Sequence, residues 1–138
     1  MDRVLVDSSY LYALYSPSDN NYQLSQAFAA TNAAVALIPD VVLPEVAFLF
    51  KRAGGVPAVA MFIEKFILAQ PTFEPVTIPM LKRAREIMLA YSSARFELVD
   101  CCIMSLAEIL NIRQVCTYDR RDFSIFRPRH CEYLELLP

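Results

Sequence analysis

The chain has 138 residues, of which 13 are basic and 15 acidic, giving a net charge of −2, and 56% are hydrophobic. That length supports a single domain, residues 1–138, with its own core and no need of disulfide or metal staples. The balance of charge excludes a protein that holds nucleic acid by bulk positive charge alone.

The N-terminus, Met1-Asp2-Arg3 followed directly by apolar residues, has no leader layout. Pro39, Glu64, Lys65 and Pro71 interrupt each candidate for a bilayer-length apolar run of roughly 18 residues. A cytoplasmic, non-membrane protein is expected. Its apolar excess predicts a surface covered by a partner or a second copy. The four cysteines (Cys101, Cys102, Cys116, Cys131) lack metal-ligand spacing, and His130 is the only histidine, so neither a zinc site nor a histidine-based triad is expected.

In chain order, residues 3–6 (Arg-Val-Leu-Val) read as a short strand buried on both faces, and Ser8 to about Leu14 as a short helix. A turn cluster follows at 16–21, then a helix from Tyr22 to about Asn32 and a second buried strand at 35–38. Residues 41–51 form an apolar helix with Pro44 in its first turn, and Pro57 opens another helix to about Leu68. Gly54-Gly55, the only glycines, lie between them and predict a helical hairpin. A third strand is expected at 73–78, shortened by Pro75, then a helix from Pro79 to about Tyr91 and a loop at 92–95. A helix runs from Glu97 or Leu98 to Asn111, the fourth strand is 115–118, residues 119–123 form a tight turn, and 133–137 offer an edge strand. Strands alternating with helices through short linkers predict an α/β fold: a three-layer α/β/α sandwich on a mostly parallel sheet of four or five strands.

Four acids interrupt apolar context near strand ends or helix starts: Asp7, Glu45, Asp100 and Asp119. A carboxylate in such a place is costly unless something compensates it. Helix capping, a salt bridge or a divalent cation would each serve. Carboxylate oxygens suit Mg²⁺ or Mn²⁺, and the paired placement of Asp7 and Asp119 after two strands of one parallel sheet favours a shared site. Such a site hydrolyses phosphodiesters without a covalent nucleophile. Ser9 and Thr117 are the hydroxyls best placed to orient a ligand. A phospho-receiver is disfavoured, because Asp7-Ser8-Ser9 lacks a second aspartate two places on and no lysine follows the fourth strand.

Val4-Leu5-Val6-Asp7-Ser8-Ser9, Leu43-Pro44-Glu45-Val46, Leu98-Val99-Asp100-Cys101 and Thr117-Tyr118-Asp119-Arg120-Arg121-Asp122-Phe123 resemble, in order, the four motifs of PIN-domain nucleases, most of all the small VapC-type toxins. The resemblance implies a Mg²⁺- or Mn²⁺-dependent endoribonuclease. It implies Asp7, Glu45, Asp100 and Asp119 as the catalytic, metal-binding acids, with Asp122 as a fifth at a position the family varies. Ser9 matches the family's hydroxyl two places after the first aspartate. The resemblance also implies an RNA substrate, a homodimer and a small VapB-like antitoxin that blocks the site. Arg120 and Arg121, with Arg95, Lys51 or Arg52, would meet RNA phosphates. The alternative is a catalytically inactive PIN-like module that binds RNA or a protein and keeps its acids as caps.

Overall fold

The computed structural model describes residues 2–138, so Met1 of the N-terminal segment lies outside the described residues. Among the described residues five short strands form one sheet: β1 (Arg3–Val6), β2 (Val35–Pro39), β3 (Thr72–Glu74), β4 (Gln114–Cys116) and β5 (Glu135–Leu137). Their order is β3-β2-β1-β4-β5, and every adjacent pair is parallel. Among the described residues six α-helices connect them: α1 (Ser8–Tyr15), α2 (Tyr22–Thr31), α3 (Leu43–Leu68), α4 (Ile78–Ala90), α5 (Leu98–Ile109) and α6 (Arg120–Ile125). The expected α/β/α architecture is observed.

Continuous apolar strands demand cover on both faces. Successive side chains alternate, so Val4 and Val6 share a face with Ile38 and Cys116, under α1, α2 and the end of α3. Leu5, Leu37 and Val115 point the other way and are buried. On that second side α4 and α5 pack together, and the Ser105 hydroxyl donates to the Met80 carbonyl at 3.0 Å. Glu108 takes a two-pronged bond from Arg83, at 2.6 and 3.1 Å, across the same helix pair.

Several element ends shift, β4 closing at Cys116 rather than at Tyr118 and β5 opening at Glu135 rather than at Tyr133, and two further differences have a local physical reason. β3 stops at Glu74 because Pro75 has no N–H for the ladder, and the Thr77 hydroxyl instead accepts the Met80 N–H to start α4. The predicted tight turn at 119–123 is the beginning of a helix, α6. Phe123 and Phe126 fill the core beneath it, and that burial outweighs the turn-like composition.

The Gly54-Gly55 bend is present. Both glycines leave helical geometry inside α3, and the Phe50 and Phe62 rings stack with centroids 4.9 Å apart. In an unbroken helix those twelve positions would separate them by roughly 18 Å. Tyr15 of α1 packs edge-on against Phe62 and Phe66, at 5.4 and 5.8 Å, and ties the second arm to the body. By length and composition Asp40–Leu68 would suffice to cross a membrane, so the charged residues and prolines interrupt this segment less than expected. The fold-back leaves two arms, each shorter than the about 20 residues a spanning helix needs.

Gly55 has φ 73° and ψ −169°, a region essentially confined to glycine. Gly55→Ala is expected to cost about 1–3 kcal/mol, read as a lower urea midpoint with an unchanged slope. A variant as stable as the parent would show that the bend does not depend on this conformation.

Candidate active site

All five strands run in one direction, so their carboxyl ends share one edge. The chain leaves β1 toward β2 on one side and returns to β4 on the other. The β1/β4 boundary is therefore the topological switch point where open α/β sheets take ligands.

Asp7 follows β1 at that point and is 2% exposed. Its N–H donates to the Cys116 carbonyl at 3.0 Å, which joins the two strand ends. Its Oδ1 accepts the Ser8 N–H at 2.8 Å and caps α1. Its Oδ2 accepts the Thr117 hydroxyl at 2.7 Å and the Ser9 hydroxyl at 3.1 Å. Ser9 Oγ in turn accepts the Tyr118 N–H at 2.9 Å, and Thr117 Oγ1 accepts the Asp119 N–H at 3.0 Å. Ser9 and Thr117 thus lock the end of β1 to the loop that carries Asp119.

Asp100 sits in the first turn of α5, 8% exposed, where the helix N-terminus favours negative charge. Asp119 is the residue before α6, makes no cap bond with its side chain and is open to solvent. Asp122 is three positions further on and 8% exposed. One carboxylate oxygen from each of Asp100, Asp119 and Asp122 lies within 4.8 Å of the others. Asp7 and Glu45 are not members of this closest group. Asp7 is near enough to push up the pKa of both Asp100 and Asp119, but its oxygens are occupied by hydroxyl and N–H donors. Glu45, half-buried in the first turn of α3, feels Asp7, Glu97 and Asp119 from the rim. Asp7 and Asp100 are both buried and do not open together onto solvent. Asp7 is the buried floor of the site.

Asp122 is more central than the sequence alone indicates. A turn at 119–123 places no particular pair of side chains together. A helix starting at Arg120 puts the preceding residue and the third helical residue on the same side, the spacing of a capping box. Phe123, the apolar residue directly after Asp122, was the available signal for that helix.

Burial, and then Asp7, Asp119 and Asp122, push the Asp100 carboxyl up to about 8. Burial, then Asp122 and Asp7, raises Asp119 as well, and burial is the largest cause for Glu45. Among the described residues, the one ion pair to these acids is Arg121 to Asp122 Oδ1 at 2.6 Å, and Arg121 also reaches the Ala94 carbonyl at 3.2 Å. Arg120 donates to the Pro138 carbonyl instead. One guanidinium does not balance this cluster, and a cation would fit it.

The donors are all oxygen. Burial, and secondarily Asp100, pushes the Cys101 thiol up to about 12, so it supplies no thiolate. His130 bonds the Ile112 carbonyl. Such a set suits Mg²⁺ or Mn²⁺.

The family model described as PIN domain matches residues 4–127. No curated protein matches the sequence at a significant level. Among solved structures, the chain is similar to VapC20 of Mycobacterium tuberculosis, a sarcin–ricin loop cleaving toxin, with a TM-score of 0.80, 21% identity and coverage of 94% of this chain and 98% of that one. It is also similar to VapBC2 of Rickettsia felis bound to a promoter DNA fragment, with a TM-score of 0.70, 15% identity and coverage of 97% and 96%. A third similar structure is a toxin–antitoxin complex from Klebsiella pneumoniae, with a TM-score of 0.63, 18% identity and coverage of 88% and 90%. At these identities the structural likenesses establish the fold.

Proposed function

The chain belongs to the PIN-domain family, and from that membership we propose that it is a Mg²⁺- or Mn²⁺-dependent endoribonuclease, the VapC-type toxin of a toxin–antitoxin pair. It acts in the cytoplasm as a homodimer and is silenced by a small VapB-like antitoxin. The observation that carries the enzymatic part is the close grouping of Asp100, Asp119 and Asp122 with a single paired arginine at a sheet's carboxyl edge. The toxin–antitoxin part is supported by the similarity to VapC20 and to the toxin–antitoxin assemblies. Self-association is supported by Met61, Ile63, Ile67 and Leu68, which stand exposed along the second arm of α3.

Asp100, Asp119 and Asp122 would hold the cation, with Asp7 behind them and Glu45 on the rim. When bound, it supplies positive charge at the scissile phosphate and acidifies water. Asp7, fixed by Ser8, Ser9 and Thr117, keeps the floor of the site rigid and negatively charged. Thr117 also holds the Asp119 backbone, so an open carboxylate is presented from an ordered position. Glu45 is raised by burial and by neighbouring acids, which brings its affinity for protons closer to neutrality, and it is the rim carboxylate suited to take a proton from attacking water. Arg120 and Arg121, exposed at the start of α6, offer charge to the flanking phosphates.

Purified protein is expected to cleave single-stranded RNA with millimolar Mn²⁺, to stop in chelator and to recover when Mn²⁺ is restored. Asp119→Asn should lower the rate by roughly a hundredfold or more, a loss of several kcal/mol in transition-state stabilisation. Absence of both cleavage and calorimetric Mn²⁺ uptake would leave a non-catalytic binding module instead.

A further inference from the structure

The first arm of α3 carries a surface that starts at the rim of the acidic site and continues through residues to which the site gives no role. Glu45, Phe48, Leu49 and Arg52 stand at helical positions i, i+3, i+4 and i+7, which form one stripe. The stripe begins at a rim carboxylate and continues through an aromatic ring to a cation. Phe48 is 61% exposed, whereas Phe50, two places on and on the opposite face of the helix, is buried. The Arg52 guanidinium lies 5.9 Å from the centre of the Phe48 ring, and Lys51 is exposed beside it. Ser8, Pro44, Glu45, Phe48 and Leu49 line an open pocket of about 450 Å³. That volume is within the range of small-ligand sites.

We propose that Phe48 is a stacking platform for one unpaired base of an RNA strand and seats the nucleotide next to the phosphate at the acidic edge, with Arg52 and Lys51 meeting the neighbouring phosphates. Granted the nuclease activity proposed above, this names the substrate feature that the enzyme recognises, an unstacked base in single-stranded RNA. The chemistry of the stripe matches a nucleotide part by part. A flat apolar ring takes the π-face of any base, and adjacent cations take the backbone charge. An apolar peptide segment would use the ring and Leu49 but has no need of the two cations.

The test measures affinity by fluorescence anisotropy in the cleavage-blocked Asp119→Asn background. The probes are a short labelled single-stranded RNA and versions with one abasic nucleotide placed at successive positions. Phe48→Ala is expected to weaken binding of the intact strand by roughly 5- to 150-fold, and Phe48→Trp to restore it. One abasic position should weaken binding by the protein that keeps Phe48 while leaving that of the Phe48→Ala variant unchanged. In the active protein the same substitution should raise KM more than it lowers kcat. The ring is exposed, so its removal leaves the core filled, and an unchanged melting curve verifies that Phe48→Ala is folded.

Equal RNA affinity with and without the Phe48→Ala substitution, in a protein that otherwise cleaves, overturns the platform and leaves the nuclease intact. A changed oligomeric state with unchanged RNA affinity assigns the ring to a protein interface and also overturns it. Absence of cleavage by the parent protein together with absence of RNA binding by every form overturns both proposals.

Discussion

Asp100→Asn is expected to make the protein more resistant to heat while abolishing RNA cleavage. Asp100 is buried in the first turn of α5, and that burial, followed by the neighbouring Asp7, Asp119 and Asp122, pushes its carboxyl up from 3.8 to about 8. Between those two values the folded chain binds more protons than the unfolded one, so stability falls as pH rises from about 4 to about 8 and levels off above that. Asparagine cannot ionise, and its amide finds acceptors in the same neighbouring carboxylates. In chelator at about pH 9 the variant should therefore melt above the parent, and its melting temperature should fall less between pH 6 and pH 9. Mn²⁺ taken up at the proposed site of the folded state is expected to raise the parent's melting temperature by mass action, by about 2.7 kcal/mol of stability at a hundredfold excess over Kd. The variant, short of one ligand, should gain much less and should lose roughly a hundredfold or more in cleavage. A variant that melts below the parent in chelator, or that cleaves at the parental rate, would remove Asp100 from the site.

Phe123→Ala is expected to cost about 3–5 kcal/mol, the range for emptying a buried phenylalanine site. Phe123 is 0% exposed and directly follows Asp122 in α6. The same side chain that fills the core therefore anchors the segment carrying Asp119 and Asp122. Against a typical total stability of about 5–15 kcal/mol, the loss should be plain in the urea midpoint. Ile125→Ala on the same helix is the comparison: at 38% exposed it should cost less than about 1 kcal/mol. Calorimetry should show weaker Mn²⁺ uptake in Phe123→Ala, at a temperature where it remains folded, and parental uptake in Ile125→Ala. Equal, small effects of both substitutions would mean that α6 is held by something other than its buried phenylalanines.

Much of this was legible locally. Val4-Leu5-Val6 could be satisfied only by cover on both faces, which demands a parallel sheet with helices around it. The two glycines could bend the long apolar segment because nothing else in it tolerates φ 73°. Asp7 was doubly legible, as a cap and as a strand-end acid. It is both a cap and a strand-end residue in the structure, but its oxygens are turned to Ser8, Ser9 and Thr117. The α6 helix was hidden, because six residues starting with Arg120-Arg121-Asp122 carry too little periodicity to reveal themselves, and only the buried rings of Phe123 and Phe126 decide the matter.

By itself the sequence determined the succession of strands and helices apart from α6, the hairpin at Gly54-Gly55 and the identity of the acids, since periodicity, proline, glycine and charge act over a few residues. Only the tertiary structure decided which distant residues meet. The order β3-β2-β1-β4-β5 sets β1 beside β4 and brings Thr117 to Asp7 across 110 positions. It also groups Asp122, rather than Asp7, with Asp100 and Asp119. Within one apolar run it buries Phe50 against Phe62 and leaves Phe48 in solvent in a pocket shared with Glu45. The physical reason is common to all three. A local pattern states which side chains share a face, while the neighbour that face meets, or its absence, is set by how the whole sheet is ordered.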